Sequence, residues 1–236
     1  MKVEIWSDVA CPWCYVGKRH FETALSQFSH ADEVSIEWKS FELDPRAPTL
    51  RNMTMDEMLQ RKYGMTEEQA VAANQKMTAL AAGVGLDFHL DRAQMGNTFD
   101  AHRLIHLAAR HGLGGAMKER LFAAYFTEGR SIGEPAVLQD LAVEVGLDPA
   151  EVETTLTGNA YASDVRRDEA RARTIGVNGV PFFLIDERFA VAGAQPTEVL
   201  VGALQRAWVE VHPIDIVNAR ADGADRSACA GGFCGI

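Results

Sequence analysis

Hydrophobic and polar residues alternate in short stretches near both ends of the chain. Lys2–Ser7 alternates and predicts a strand, and residues 34–41 predict a second strand on the same grounds. Between them, the apolar positions of residues 15–28 recur at the spacing of an amphipathic helix. We therefore expect the first forty residues to form a βαβ unit.

The long middle of the chain, residues 47–175, shows helical spacing and no strand pattern. Thr54 and Thr66 each precede a glutamate or glutamine by three residues, which is the spacing of a capping box at a helix start. Pro135 and Pro149 suit first helical turns. This block therefore predicts a helical subdomain. The predicted segments are helices over residues 54–64, 66–82, 97–111, 117–126, 135–145, 149–156 and 161–174, with an extended connector over residues 86–95.

Strand signals return near the end of the chain. Residues 182–185 and 189–192 are two short apolar runs around a charged turn, which predicts a hairpin, and residues 197–209 predict a helix after it. The segment that follows is rich in Ala, Gly and Asp and reads as a flexible end. We expect three parts: a domain formed by residues 1–46 and 176–213, a helical insertion over residues 47–175, and a flexible tail over residues 214–236.

Charge and hydropathy exclude several classes of function. The 236 residues include 23 Lys plus Arg against 33 Asp plus Glu, which gives a net charge of −10. An acidic balance disfavours nucleic-acid binding, which needs a basic face. No apolar run approaches the roughly 20 residues of a membrane-spanning helix, and Glu4 and Asp8 stand where a signal peptide would be apolar. We therefore expect a cytoplasmic protein without nucleic-acid or membrane partners.

Four cysteines form two close pairs, Cys11 with Cys14 and Cys229 with Cys234. Structural disulfides are rare in a reducing cytosol, so paired cysteines there favour catalysis or metal binding. Cys11 and Cys14 stand at the predicted strand-to-helix turn, close enough to form a disulfide. Free N–H groups and the positive dipole end of the helix stabilise a thiolate at Cys11. We expect Cys11 to be an exposed nucleophile and Cys14 to be the resolving thiol.

Two arrangements would allow metal binding, and we favour neither. A zinc site would combine Cys11 and Cys14 with the second pair, but it would need a flexible segment and an unusual ligand spacing. His102 and His106 lie four residues apart on a predicted helix, but nothing else in the sequence completes that site. Core histidines with hydrogen-bond partners, or a polar helix surface, explain them more simply. We therefore predict no metal ligands.

The second pair, Cys229 and Cys234, encloses two glycines that permit a local disulfide. A flexible tail that starts at Pro213 and ends at Cys229 spans ~20–24 Å on average. That length is comparable to the radius of gyration of the domain, ~17–18 Å. We interpret the pair as a second redox pair that exchanges with the first, and the alternative is an inert chain end.

The order of these motifs resembles a known family. A strand, Cys-Pro-Trp-Cys-Tyr, a helix, a large helical insertion and Gly179-Val180-Pro181 before a strand resemble the DsbA-like thioredoxin-fold proteins. The resemblance covers roughly residues 1–210 and narrows to the FrnE subfamily. It implies an α/β protein with a thioredoxin-like fold and a large all-helical insertion between the βαβ and ββα halves. The motifs that narrow it are Asp8-Val9-Ala10-Cys11-Pro12-Trp13-Cys14-Tyr15-Val16-Gly17-Lys18, Trp38-Lys39-Ser40-Phe41, Asn97-Thr98, Ala101-His102-Arg103-Leu104 and Gly176-Val177-Asn178-Gly179-Val180-Pro181.

The resemblance also implies site residues. It places a cis Val180–Pro181 peptide bond beside the cysteines, where the Val180 backbone is free to pair with a substrate strand. Sequence alone favours a trans bond, because cis is the minority isomer even before proline. Together with Pro12 and Trp13, Val180 and Pro181 are the substrate-binding residues that we expect.

Three classes of function stay open on the sequence. The first is a thiol-disulfide oxidoreductase acting on protein or small-molecule disulfides, recycled by thioredoxin, glutathione or another thiol reductant as co-substrate. The second is a glutathione-dependent isomerase or transferase, resembling the chromene carboxylate isomerases and kappa-class glutathione transferases. Those relatives typically carry serine where Cys11 stands, so the two cysteines favour the first class. The third is a zinc-binding or interaction module without enzymatic activity.

Overall fold

The computed structural model describes residues 1–50 and 53–212. A mixed four-stranded sheet lies at its centre, in the order β2-β1-β3-β4. β1 pairs with β2 in parallel and with β3 antiparallel, and β3 and β4 form the predicted hairpin. Ile5, in the middle of β1, faces Trp38 on one side and Phe183 on the other. The strands are β1 (Lys2–Ser7), β2 (Ser35–Ser40), β3 (Phe182–Ile185) and β4 (Phe189–Ala192).

The helices begin and end close to the predicted positions. Both capping boxes are present, because Thr54 and Thr66 each exchange hydrogen bonds with the residue three positions later. Residues 86–95 contain neither helix nor strand, as expected. The helices are α1 (Pro12–Ser26), α2 (Met55–Tyr63), α3 (Glu67–Ala82), α4 (Phe99–Arg110), α5 (Gly114–Phe126), α6 (Pro135–Glu144), α7 (Pro149–Thr157), α8 (Ala162–Thr174) and α9 (Thr197–Val211), with a short 3-10 turn at Ala31–Glu33.

Each face of the sheet is covered by helices. α1 and α9 pack on one face, where Phe21 and Leu204 join Phe183 in a buried apolar cluster. α8 covers part of the other face, where Trp6 is fully buried and its indole N–H donates to the Asp168 carbonyl over 3.0 Å. α8 belongs to the segment predicted as insertion, and it contacts β2 directly. The sheet therefore depends on the middle of the chain to bury its second face.

The helical insertion is joined to α1 by a large shared core. Tyr15 stacks on Phe122 of α5 with ring centroids 4.6 Å apart, and both belong to the apolar cluster that includes the cysteine pair. The Tyr15 hydroxyl donates to Glu119 over 2.6 Å, and Lys18 and Arg19 also bind that carboxylate. Burial alone would raise the pKa of Glu119, but these hydrogen bonds lower it to about 2. The insertion is thus held against the helix that carries the cysteines.

One glycine in α1 permits a close approach to the Pro181 loop. A methyl group at Gly17 would lie 2.8 Å from the Pro181 ring carbon Cγ and 3.4 Å from the Ala194 methyl. Contacts below 3.0 Å force a neighbour to move, and overpacking of this kind costs about 1–3 kcal/mol. Gly17 therefore sets how closely Pro181 packs on the helix that starts at Cys11.

We expect Gly17→Ala to destabilise the protein by about 1–3 kcal/mol and to slow thiol exchange at Cys11, because Pro181 must shift. Gly202→Ala in α9 is the matched control, since a methyl group there meets no atom within 4 Å. Because alanine has a higher helix propensity than glycine, the Gly202→Ala control should gain about 0.5–1 kcal/mol in free energy of unfolding. Urea unfolding and rates of alkylation at Cys11 measure both effects. Equal stability changes in the two variants would contradict this role of Gly17.

Candidate active site

The cysteine motif lies where β1 ends and α1 begins. Cys11 is the N-cap of α1 and has an extended backbone, and Pro12 occupies the first turn, where its missing N–H costs nothing. The Cys11 N–H donates to the Asp8 carbonyl over 3.2 Å, and the Cys14 N–H donates to the Cys11 carbonyl over 3.0 Å. These bonds hold both free thiols on the first turn of the helix, as the spacing predicts.

The expectation of an exposed Cys11 is wrong. Only 4% of the residue is accessible, because the turn at Val180 lies against it. The Cys11 thiol donates to the Val180 carbonyl, with 3.6 Å between sulfur and oxygen. Trp13, between the two cysteines, is 46% exposed and Pro12 is partly exposed. A substrate sulfur must therefore reach Cys11 across a surface formed by Trp13, Pro12 and the Val180 backbone.

Val180 and Pro181 lie beside the cysteines, and the peptide bond between them is cis, as the resemblance implies. Pro181 is buried and packs toward Gly17, while Val180 is partly exposed. The Pro181 carbonyl accepts the Gly193 N–H over 2.8 Å, which joins this loop to the end of β4. Val180 and Pro181 thus lie close to Cys11 in the fold, and their binding of substrate stays a prediction.

Cys14 is buried more deeply than Cys11, with 1% of its surface exposed. Burial raises the pKa of the Cys14 thiol well above its ordinary value, and the neighbouring Cys11 adds to that rise. The positive charge of Lys118 acts in the opposite direction. The two thiols therefore differ in depth: Cys11 lies under the Val180 turn, and Cys14 lies deeper, where burial opposes its thiolate and the charge of Lys118 favours it.

Lys118, on α5, is the site residue that sequence analysis missed. It is 1% exposed, and its ammonium donates to the Ser7 carbonyl over 3.1 Å beneath the motif. The ring centroids of Trp38 and Phe122 lie 5.7 and 5.1 Å from its Nζ, which compensates in part for lost water. Burial lowers the pKa of Lys118 to about 8, against the attraction of Cys14.

A signal for Lys118 does exist in the sequence. It occupies the apolar stripe of α5 that continues at Leu121, Phe122 and Tyr125, which have the spacing of one helix face. A lysine on such a stripe is buried or reaches solvent along the protein surface, and the sequence does not distinguish the two cases.

Asp8 and His102 form a buried pair on the other side of the turn. The Asp8 carboxylate accepts the Leu43 N–H over 2.7 Å, and the Nε2 atom of His102 lies 3.4 Å from it. Burial would raise the pKa of Asp8, but the hydrogen bonds from His102 and Leu43 hold it below its ordinary value. Burial also lowers the pKa of His102. A charged Asp8 thus anchors the cysteine turn to the segment after β2.

The two histidines considered as metal ligands have different partners. His102 contacts Asp8, whereas Nε2 of His106 lies 3.2 Å from the Asp168 carboxylate and 3.0 Å from the Ser40 hydroxyl. Among residues 1–50 and 53–212, no three His, Cys, Asp or Glu side chains cluster as a metal site would require. Cys229 and Cys234 lie outside the residues that the structure describes, so their proposed exchange stays a prediction.

Comparisons with known proteins identify the family and fold of the chain. The family model for the DSBA-like thioredoxin domain matches residues 2–205. A probable DsbA oxidoreductase from Streptomyces coelicolor is 45% identical, with 95% of this chain and 97% of that chain covered and a TM-score of 0.87. The uncharacterized protein YwbO of Bacillus subtilis is 28% identical over 86% of this chain and 94% of its own length.

A more distant structure shares the fold. The cytosolic disulfide reductase DsbM from Pseudomonas aeruginosa is 20% identical, with 90% of this chain and 98% of that chain covered and a TM-score of 0.59. The same DsbM has also been solved with glutathione.

The chain belongs to the DsbA-like thioredoxin domain family. This confirms the family, the thioredoxin-like fold with its helical insertion, and the enzyme class predicted from the sequence. The narrower FrnE assignment and the domain limits stay predictions. Within the described part of the chain, each helix is too short or too polar to cross a bilayer.

Proposed function

We propose that this protein is a cytoplasmic thiol-disulfide oxidoreductase that exchanges protein or small-molecule disulfides through Cys11 and Cys14. The observation that carries the proposal is the pair of free thiols on one helical turn, both buried, with the Cys14 thiol subject to the positive charge of Lys118. With two such thiols, one forms a mixed disulfide with the substrate and the other resolves it, which completes the two-electron reduction of the substrate.

The exchange proceeds in two displacements. The Cys11 thiolate attacks one sulfur of the substrate disulfide, a Cys11–substrate disulfide forms, and the first substrate thiolate leaves. The Cys14 thiolate then attacks the Cys11 sulfur and releases the second substrate thiolate. The enzyme dithiol becomes a Cys11–Cys14 disulfide as the substrate gains two electrons. Oxidation of a substrate dithiol follows the same steps in reverse.

Specific residues support each displacement. Cys11 is the N-cap residue of α1, so the attacking sulfur belongs to the residue at the positive end of the helix dipole, where negative charge is generally favoured. The charge of Lys118 favours the thiolate of Cys14 in the second step. The reduced enzyme is regenerated by glutathione or thioredoxin in our proposal, and the glutathione-bound DsbM structure supports the first of these as co-substrate.

The second candidate is a glutathione-dependent isomerase or transferase, in which Cys11 only activates glutathione. The glutathione-bound DsbM structure supports glutathione as a ligand in this candidate function as well. The buried Cys14 distinguishes the two functions, because activation of glutathione needs one sulfur and dithiol exchange needs two.

The variant Cys14→Ser distinguishes the thiol-disulfide oxidoreductase from the glutathione-dependent isomerase or transferase. In the dithiol route it should accumulate a stoichiometric disulfide between Cys11 and substrate, and insulin reduction should fall by at least ~100-fold because the second displacement is lost. Mass spectrometry of the acid-quenched, non-reduced protein detects the adduct, and reduction with tris(carboxyethyl)phosphine, which removes it, is the control. Undiminished turnover of Cys14→Ser with added glutathione would favour the second candidate.

A further inference from the structure

A groove runs away from the cysteine turn on the side of α2. Its inner part, about 100 Å³, is lined by Asp8 and by Ala10, the residue directly before Cys11. Its outer part, about 580 Å³, continues along α2 and is open to solvent. Leu43 and Met58 line both parts, so the two form one continuous surface. The groove therefore begins at the reacting end of the molecule and leads away from it.

Methionine is the main apolar side chain of this groove. The groove contains Met53, Met55, Met58 and Met95, which are four of the eight methionines in the chain. Methionine is unbranched and polarisable, so a methionine surface adapts to apolar side chains of different shapes. Such a lining suits many related partners better than one rigid ligand.

The outer end of the groove carries positive charge. Arg61 and Lys62, in the last turn of α2, line the outer part, and both are exposed. Neither forms an ion pair with any residue in the described ranges, although the protein as a whole carries a net charge of −10. Asp44 also lines the groove, but its carboxylate is engaged and accepts the Arg46 N–H over 3.2 Å. Arg61 and Lys62 thus face solvent beside the apolar surface, and no carboxylate of residues 1–50 or 53–212 pairs with them.

One wall of the inner groove is fixed by backbone hydrogen bonds. Asn97 donates its N–H to the Pro48 carbonyl over 2.8 Å and its side-chain amide to the Ala47 carbonyl over 3.2 Å. Gly96, in the same wall, leaves space for the Thr49 carbonyl, which a methyl group would approach to 2.1 Å. The groove is therefore held in place before any partner arrives.

We propose that this groove binds an extended polypeptide segment next to the substrate cysteine, with an apolar side chain on the methionines and an acidic side chain at Arg61 and Lys62. This inference rests on the proposed function and names its substrate class. From Met55 to Lys62 the helix axis advances ~10 Å, which an extended chain covers in about three residues. The acidic residue should therefore stand four or five positions from the cysteine.

A set of short peptides tests the proposal with the reduced, full-length protein. Each peptide of nine residues carries one cysteine as a mixed disulfide with 2-mercaptoethanol, a leucine next to it, and either two aspartates or two lysines four and five positions away. Both chain directions are made. Cys11 attacks the peptide sulfur and 2-mercaptoethanol leaves as the thiolate, after which Cys14 releases the peptide thiol, so a single turnover needs no other reductant.

We expect the aspartate peptide to react about tenfold faster than the lysine peptide at low salt in one of the two directions. The preference should shrink in 0.5 M NaCl, because exposed charges are then screened. Lys62→Glu and Arg61→Glu should reduce the ratio of the two rates to below ~2. Lys76→Glu on α3 makes the same charge change at an exposed position outside the groove, and it should keep the wild-type ratio.

The apolar part of the groove is tested separately. A peptide with leucine beside its cysteine should react ~5–10-fold faster than one with serine, and Met58→Gln should remove most of that difference. Met65→Gln is the control, since Met65 is similarly half-buried but lies outside the groove. Melting temperatures of all variants show that each is folded.

The outcomes separate this inference from the function on which it rests. If the wild-type protein does not reduce even bis(2-hydroxyethyl) disulfide, the proposed oxidoreductase function fails. If it reduces that disulfide but shows equal rates for aspartate and lysine peptides, or an unchanged ratio in Lys62→Glu, the groove proposal is overturned. Lys62→Glu could instead slow the reduction of glutathione disulfide as much as it slows the reduction of the aspartate peptide. That result would assign the groove to glutathione and overturn the groove proposal.

Discussion

Replacing Cys11 with serine is expected to lower disulfide exchange by at least ~100-fold, because a serine hydroxyl is not ionised at neutral pH and does not attack disulfide sulfur. Cys14 does not replace it. Its thiol lies deeper than that of Cys11, and burial raises its pKa. Cys11→Ser should therefore form no mixed disulfide with substrate. Insulin reduction measures the loss, and mass spectrometry of the quenched reaction looks for the adduct.

The matched variant is Cys14→Ser, which removes the other sulfur of the same turn by the same substitution. It should keep the rapid first displacement and fail only in the second. The two variants thus lose activity at different steps. An adduct on Cys14 in the Cys11→Ser protein would reverse our assignment of nucleophile and resolving thiol.

The second large effect is expected at Lys118. In Lys118→Met a side chain of similar length remains, but the positive charge that opposes the raised pKa of Cys14 is gone. A further rise of one pKa unit means about tenfold less thiolate at pH 7, which corresponds to about 1.4 kcal/mol. Release of the Cys11–substrate disulfide should therefore slow ~10-fold, and its pH profile should move to higher pH.

The size of this effect should depend on pH. Burial lowers the pKa of Lys118 to about 8, so the wild-type lysine loses its charge as the pH rises through that value. The advantage of wild type over Lys118→Met should be greatest below pH 8 and should decline above it. Rates of mixed-disulfide decay between pH 6 and pH 10 measure the profile.

A second buried lysine provides the control for Lys118→Met. Lys18 is also buried, but its charge is paired with Glu22 and Glu119. Lys18→Met should keep the advantage that Lys118 confers at low pH and move the pH profile only slightly, because repulsion from Lys18 is a minor cause of the lowered pKa of Lys118. It should lower stability, since it leaves those carboxylates with fewer partners. Lys118→Met should not be less stable than wild type, because it removes a buried charge that has no ion-pair partner among the described residues. An unchanged pH profile in Lys118→Met would contradict its role.

Local patterns were sufficient to predict most elements. The alternation of β1 was enough to identify it as a strand, although as a central strand it is buried on both faces from its second residue to its last. The threonines at positions 54 and 66 mark helix starts because their side chains bind free N–H groups there. The turn that holds Cys11 and Cys14 is local too, since a strand, a proline and a helix follow one another within residues 2–26.

Contacts between distant segments could not be predicted in the same way. Lys118 lies more than 100 residues from the cysteines, and lysine is mostly exposed, so the sequence gives no reason to place it under Cys14. The burial of Cys11 has the same origin, because the carbonyl that covers its sulfur belongs to Val180. The pairing of Asp8 with His102 also joins segments that only the fold brings together.

The position of β1 has a consequence for how the protein forms. β1 is a central strand, and its partner β3 pairs Val3 with Ile185 across most of the chain. Contacts at such sequence separation form slowly, because a long loop must close before they contribute. During synthesis β1 therefore lacks its partner β3 until the ribosome has released residue 185. Until then the folded turn at Val180 does not shield Cys11, so the thiols of the new chain are open to exchange with other thiols and disulfides in the cell.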